Sequence, residues 1–188
     1  GAGLVGSLEA IFLAKKGFKV EVYERRPDMR KVKLLAGRSI NLALSTRGWT
    51  ALKKVGVDIE VKKMAIPMHK RVMHSIDGKL TNQQYGQDGE AIYSVSRGGL
   101  NQLLMNLAGN QKNVNMHFDF KCIDVDLETA TASFKYKSGE VRNVNADILI
   151  GADGAYSVIR SKMMKQDRFQ YSQYYIEHGY KELSIPPN

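Results

Sequence analysis

The chain has 188 residues, 43% hydrophobic and 25% charged, which is ordinary for a globular domain and enough to bury one sizeable core. Its formal net charge is +9, with nine Lys or Arg against three Asp or Glu between Lys15 and Arg38, yet the bases interleave with acids and no nucleic-acid-binding motif accompanies them. The single cysteine, Cys122, excludes an internal disulfide, no Cys or His spacing matches a metal site, and no apolar run approaches the roughly 18 residues that span a bilayer.

Gly1-Ala2-Gly3-Leu4-Val5-Gly6 has the G-x-G-x-x-G spacing that lets backbone amides at a helix N-terminus approach a pyrophosphate. Leu4 to Lys16 reads as that helix, closed by Gly17, and Lys19 to Tyr23 as an alternating strand. Glu24 ends this strand 18 residues after Gly6, where a ribose-binding acid belongs. This is half of a mononucleotide fold, and alone it suits NAD as well as FAD. The apolar strand that aims such a loop is expected before Gly1, so the sequence reads as a fragment of poor autonomous stability.

Ser45 to Val55 reads as a second helix, with Ser45 as N-cap and Gly56 as its stop. From Lys70 the period changes to two, and RVMHSI and KLTNQQY form a hairpin joined at Asp77-Gly78. A two-residue turn there sets Arg71 opposite Gln84; a three-residue turn or one bulge sets it opposite Tyr85 and brings both side chains to one face. A helix over Arg97 to Ala108 follows, then a strand over Val114 to Phe118. The segments around Cys122 to Leu127, Thr131 to Lys137 and Val141 to Val144 read as a three-stranded meander. Asp147 to Ile150 is expected to close the nucleotide sheet, Tyr156 to Met164 to form the next helix, and LSIPPN to begin a strand.

The stretch DILIGADGAYSVIR, Asp147 to Arg160, adds what the glycine loop lacks. An Asp-Gly pair, Asp153-Gly154, at the end of an apolar strand is the arrangement that aromatic-ring hydroxylases of the flavin monooxygenase class set against the FAD diphosphate and ribitol. The segments GLVGSLEAIFLAKKGF, GRSINLALS, AIPMHKRVMHS, YSVSRGGLNQLL and YSQYYIEHGYKELSIPP resemble, in order and spacing and across the whole chain, the kynurenine 3-monooxygenase family.

The resemblance implies an α/β fold: a Rossmann-like FAD-binding domain of the aromatic-hydroxylase type with an inserted β-sheet substrate domain, here lacking its first strand and C-terminal half. It divides the chain into a first FAD-binding part at 1–66, a substrate-domain hairpin at 67–94, a second FAD-binding part with the meander at 95–166, and the start of a substrate-domain sheet at 167–188. It implies FAD as cofactor, NADPH as co-substrate, and hydroxylation of L-kynurenine to 3-hydroxykynurenine with O2 through a flavin C4a-hydroperoxide, with no protein nucleophile and no turnover by the fragment alone. The basic stretch would then flank the approach of FAD and NADPH. Eukaryotic members are tethered to the mitochondrial outer membrane through C-terminal segments, and a bacterial one is expected in the cytoplasm.

The site residues implied are Gly1, Gly3, Val5, Gly6, Tyr23, Glu24, Arg25, Arg26, Ala43, Arg97, Cys122, Asp153 and Val158 for FAD, several of them through backbone atoms. Arg71 and Tyr85 are implied for substrate, the guanidinium matching the amino-acid carboxylate of kynurenine as a planar fork. Cys122 reads as a small apolar neighbour of adenine, and His69, His74, His117 and His178 as structural. Two alternatives stay open: a hydroxylase of the same fold acting on another aromatic acid, and a basic non-catalytic binding module.

Overall fold

The computed structural model describes residues 1–32 and 40–179. Arg38, at the end of the basic stretch, and the expected LSIPPN strand lie outside the described residues. The chain divides into two compact units, Gly1–Lys121 and Cys122–Asn188.

In the first unit, α1 (Leu4–Lys15) buries Ser7, Ala10, Ile11 and Ala14, the i, i+3, i+4, i+7 stripe of an inward-facing helix. Small side chains on that stripe let the helix lie close to its neighbours. It stops in a Schellman motif: Gly17 N–H donates to the Ala14 carbonyl, Phe18 N–H to the Leu13 carbonyl, and Gly17 sits at φ +89, where a side chain would be strained. Strand β1 (Val20–Tyr23) follows and pairs in parallel with β7 (Val114–His117), Val20 opposite Val114. Asn113 ties the two ends together, donating through Nδ2 to the carbonyls of Ala14 at 3.0 Å and Phe18 at 2.6 Å.

Helix α2 (Thr46–Lys54) ends in the same motif at Gly56, whose N–H and that of Val57 donate to Lys53 and Leu52. Ser45 occupies its N-cap position, but its hydroxyl makes no capping bond, contrary to expectation. A short α3 (Asp58–Lys62) buries Val61 and was not legible in the sequence, having little more than one turn of pattern. Also unforeseen is an antiparallel sheet in the order β2-β6-β3, made of β2 (Asn41–Leu44), β6 (Ile92–Ser96) and β3 (Ile66–Met68). It draws its strands from both sides of the expected boundaries at 66 and 94. Helix α4 (Arg97–Gly109) starts from Ser96, whose hydroxyl accepts the Gly99 N–H, buries Leu100, Asn101, Leu104, Met105 and Ala108, and packs against α1, β6 and β7.

The hairpin of β4 (Lys70–His74) and β5 (Leu80–Gln84) forms as expected but in another register: Arg71 pairs with Gln83, neither Gln84 nor Tyr85. The loop is Ile76-Asp77-Gly78, closed by Ser75 N–H to the Lys79 carbonyl, with Gly78 at φ +80. That is a three-residue turn with its left-handed residue last, which centres the hairpin on Asp77.

Strand β8 (Phe120–Asp126) begins in the last two residues of the first unit and continues into the second, where β9 (Thr131–Tyr136) and β10 (Val141–Asn145) complete the expected meander in the order β10-β9-β8, with Val125, Ala132 and Phe134 buried. Asp147 to Ile150 is not a strand: among the described residues none pairs with it, and Ile148 and Ile150 are 69% and 47% exposed. An extended apolar segment becomes a strand only when neighbours take its backbone hydrogen bonds. Here it lines a groove of about 550 Å³ with Leu127, Ile159 and Met163. Helix α5 (Val158–Met163) is shorter than expected, since Tyr156 precedes its N-cap, Ser157, and is 90% exposed. No described helix is long and apolar enough to cross a membrane.

Leu104 of α4, 2% exposed, belongs to the first unit's core. Leu104→Ala is expected to lower unfolding free energy by about 2–5 kcal/mol, measured as a reduced urea midpoint at unchanged slope.

Candidate functional site

The N-terminus of α1 is left open by its own sequence. Gly3 is the N-cap residue at φ −73, ψ −176, no side chain caps the first turn, and no acid lies within it. The first-turn amides of any helix lack intrahelical acceptors, so this end presents unpaired N–H groups and the positive pole of the helix dipole. Val5, one residue inside the helix, is 71% exposed. An ideal Cβ placed on Gly3 would meet no heavy atom within 4 Å among the described residues, so their packing does not require glycine there.

The loop is held from beneath at Ala2, which is 1% exposed. Its N–H donates to Glu24 Oε2 at 2.8 Å, while its carbonyl accepts from Ser7 Oγ at 3.2 Å and from Asn101 Nδ2 at 3.3 Å. Glu24, itself 6% exposed, accepts on Oε1 from the Arg26 backbone N–H at 3.0 Å and from Arg26 Nε at 2.8 Å. Burial raises its carboxyl pKa, but these bonds from Arg26 and Ala2 outweigh it and hold the group below the ordinary glutamate range. The acid expected to meet a ribose is therefore first a clamp on the glycine loop. Three acceptor sites are in use out of the four or so that a carboxylate offers.

Around this clamp lie most of the residues expected to bind FAD: Gly1, Gly3, Val5 and Gly6 in the loop, then Tyr23, Glu24 and the exposed Arg25 and Arg26 at the end of β1. Tyr23 stacks on His117 with ring centroids 4.5 Å apart, and Phe120 meets both rings edge-on. His117 Nε2 lies 2.7 Å from Glu21, so it completes an aromatic platform beside the clamp. Arg97 opens α4, exposed, one turn before Asn101 and on the same helix face, and its own N–H donates to the Ile40 carbonyl at 3.2 Å. Ala43 is exposed on β2, opposite Ser94 of β6.

The remaining FAD candidates belong to the second unit. Asp153 caps α5: Oδ1 accepts from Ser157 Oγ at 2.6 Å, and Oδ2 from the N–H groups of Val158 at 2.7 Å and Ile159 at 3.4 Å. Burial opposes its ionisation, but the Ser157 hydroxyl and the backbone amides prevail and lower its pKa. The Val158 amide is thus engaged within the protein. Cys122 Sγ lies 3.6 Å from the Asp124 carbonyl, and burial, with the nearby Asp153 charge, pushes its thiol pKa up, which fits packing and not nucleophilic chemistry.

On the hairpin, Arg71 and Tyr85 share one face, because Arg71 pairs with Gln83 and Tyr85 lies two residues further on. Arg71 Nε donates to Gln83 Oε1 at 2.8 Å, and Nη2 donates to the same oxygen. Both side chains are exposed, Tyr85 by 41%.

The sequence profile of the FAD binding domain family matches residues 1–177. The chain belongs to that family. Kynurenine 3-monooxygenase of Flavobacterium johnsoniae is 51% identical over 189 residues, covering all of this chain and 42% of the relative, and that of Sus scrofa is 43% identical, covering all of this chain and 40% of the relative. The chain thus spans about two fifths of the length of the curated relatives it matches. Among solved structures, p-nitrophenol 4-monooxygenase from Pseudomonas putida superposes with a TM-score of 0.74 at 20% identity, over 87% of this chain and 42% of that one. A flavin-dependent monooxygenase in complex with FAD and substrate superposes at 0.72 and 19% identity, over 87% of this chain and 31% of that one. At such identities the likeness concerns the fold. The FAD-binding family and the glycine loop agree, since the uncapped helix end and the open space at Gly3 suit a pyrophosphate.

Because Glu24 has a lower pKa folded than unfolded, the folded state binds fewer protons, and its stabilisation is complete above the ordinary glutamate range and fades as pH falls through the folded value. Glu24→Gln is expected to flatten the acid limb of a plot of thermal midpoint against pH between roughly 3 and 7, with the two proteins differing most at the neutral end.

Proposed function

We propose that this chain is the FAD-binding part of a monooxygenase that hydroxylates L-kynurenine to 3-hydroxykynurenine with NADPH and O2. The observation that carries the reading is identity of 51% and 43% to kynurenine 3-monooxygenases along the whole chain, joined to a glycine loop whose helix end is open. FAD, when bound, supplies the redox and oxygen-transfer chemistry. The residues of this chain bind and orient.

In this reading the amides at the start of α1 hold the FAD pyrophosphate, and Glu24 offers its remaining acceptor capacity to the ribose. Arg97, at the first position of α4, adds a positive charge for the diphosphate. Arg71 holds the kynurenine carboxylate. Gln83 engages Nε and one Nη2 proton of Arg71, and a guanidinium has five N–H groups, so a carboxylate can still be met. Tyr85, on the same face, lies beside it. Holding the amino-acid end fixes the aromatic ring relative to the flavin, which is catalysis by positioning.

Gly3→Val tests the cofactor half. The open space at Gly3 and its ordinary backbone angles predict a folded protein, so the valine should leave thermal stability near wild type while bound flavin, read from the visible spectrum of the purified full-length protein, falls steeply. A yellow Gly3→Val protein with full flavin content would refute the assignment.

Arg71→Leu tests the substrate half. Loss of a charge-assisted contact worth about 1.5–3 kcal/mol should lower kcat/KM for kynurenine at least about tenfold with flavin content unchanged. The decarboxylated analogue should be turned over almost equally by both enzymes. If the variant keeps the wild-type preference for kynurenine over that analogue, Arg71 is only a strand residue.

A further inference from the structure

Asn101 is the polar residue that packing least explains. It sits in α4 between Leu100 and Leu104, 7% exposed, with Nδ2 donating to Met29 Sδ at 2.9 Å, to Met105 Sδ at 3.4 Å and to the Ala2 carbonyl at 3.3 Å. Its Oδ1 is buried with no hydrogen-bond partner among the described residues. A leucine would fill nearly the same volume between two methionines without burying an unpaired acceptor, so burial favours the apolar residue. Beyond contacts with two weakly accepting thioether sulfurs, what the carboxamide gains is the hydrogen bond to Ala2.

That contact has a geometric consequence. The peptide joining Ala2 to Gly3 is planar and trans, so its C=O and N–H point to opposite sides. Asn101 from α4 and Ser7 from α1 both hold the Ala2 oxygen on the buried side. The Gly3 N–H is thereby turned to the other side, and at φ −73 it points nearly along the direction a Cβ would take, into open space; no backbone acceptor takes it among the described residues. On the far side of Ala2, Glu24 holds the N–H, so rotation is blocked at both ends. The same helix face carries Arg97 one turn before Asn101, which sets that charge at a fixed offset from the loop.

We propose that Asn101 is a positioning residue for the dinucleotide: by holding the Ala2 carbonyl inward it aims the Gly3 amide at the pyrophosphate and locks the glycine loop to the helix that bears Arg97. The inference rests on the FAD reading above and names no contact between Asn101 and the cofactor.

The test uses the full-length protein, stripped of flavin and titrated with FAD while flavin fluorescence is followed, with the thermal midpoint of each apoprotein measured beside it. Asn101→Leu removes the Ala2 contact and the unpaired oxygen together. It should weaken FAD binding about tenfold, the scale of one well-placed hydrogen bond, while the apoprotein melts no lower than wild type. A purely structural residue would behave otherwise, with binding within twofold of wild type or weakened only in step with a lowered midpoint, and either result overturns the proposal. If Asn101→Leu does not fold, Ser7→Ala decides, since alanine suits a buried helical site and removes the other donor to the Ala2 oxygen. It should weaken FAD binding a few-fold, and unchanged affinity overturns the proposal. A wild-type apoprotein that takes up no FAD would instead remove the flavin reading itself.

Discussion

The hydrogen bonds at Ala2 are the constraint on which the head of the first unit depends. One residue with a methyl side chain joins the end of β1 through Glu24, the body of α1 through Ser7 and the body of α4 through Asn101. A glycine-flanked loop has little preference for one shape, so its geometry has to be imposed from outside. Here it is imposed from three elements at once. Placement of the parallel β1–β7 pair matters for the same reason, because β1 delivers Glu24 to the loop, and the Glu24 N–H donates in turn to the His117 carbonyl at the end of β7.

Glu24 and Asp153 show a common economy. Each stands where a nucleotide ligand is expected, and each is committed to backbone amides: Ala2 and Arg26 for one, Val158 and Ile159 for the other. A carboxylate withdrawn from water, fully as Glu24 is or partly as Asp153 is, must be satisfied before it can serve, and the nearest donors are the amides of a loop or a helix start. Shaping the backbone and presenting spare lone pairs are then a single arrangement. Substituting either acid disturbs local conformation along with any ligand contact, so effects at these positions do not divide cleanly into binding and folding.

Much of this architecture was legible in the chain. The helix after the glycine loop, the glycine stops at Gly17 and Gly56, and the three strands of the meander follow from pattern and backbone chemistry that act over a few residues. The hairpin register was not, because Asp77-Gly78 fits turns of two or three residues and only the left-handed conformation of Gly78 as third residue of the loop decides. The sheet of β2, β6 and β3 escaped notice since strands of three to five residues carry hardly any period. Asp147 to Ile150 failed in the opposite sense: its apolar content is strand-like, and pairing, a property of its neighbours, is what it lacks. The glycine loop and Glu24 were visible as a site, yet Ser7 and Asn101 looked like ordinary polar positions in helices. Both matter through the Ala2 carbonyl, which Ser7 meets from five residues away and Asn101 from 99, a distance that spacing cannot reveal.

The open space at Gly3 has a bearing on how such a chain changes over evolutionary time. Neither its backbone angles nor its surroundings call for glycine, so selection for a stable fold alone is blind to this position. Gly17 and Gly56, at φ +89 and +68, are kept by the fold whatever the protein binds. In a lineage that had lost its ligand, the Schellman glycines would persist while Gly3 drifted, because the three residues answer to different selective pressures.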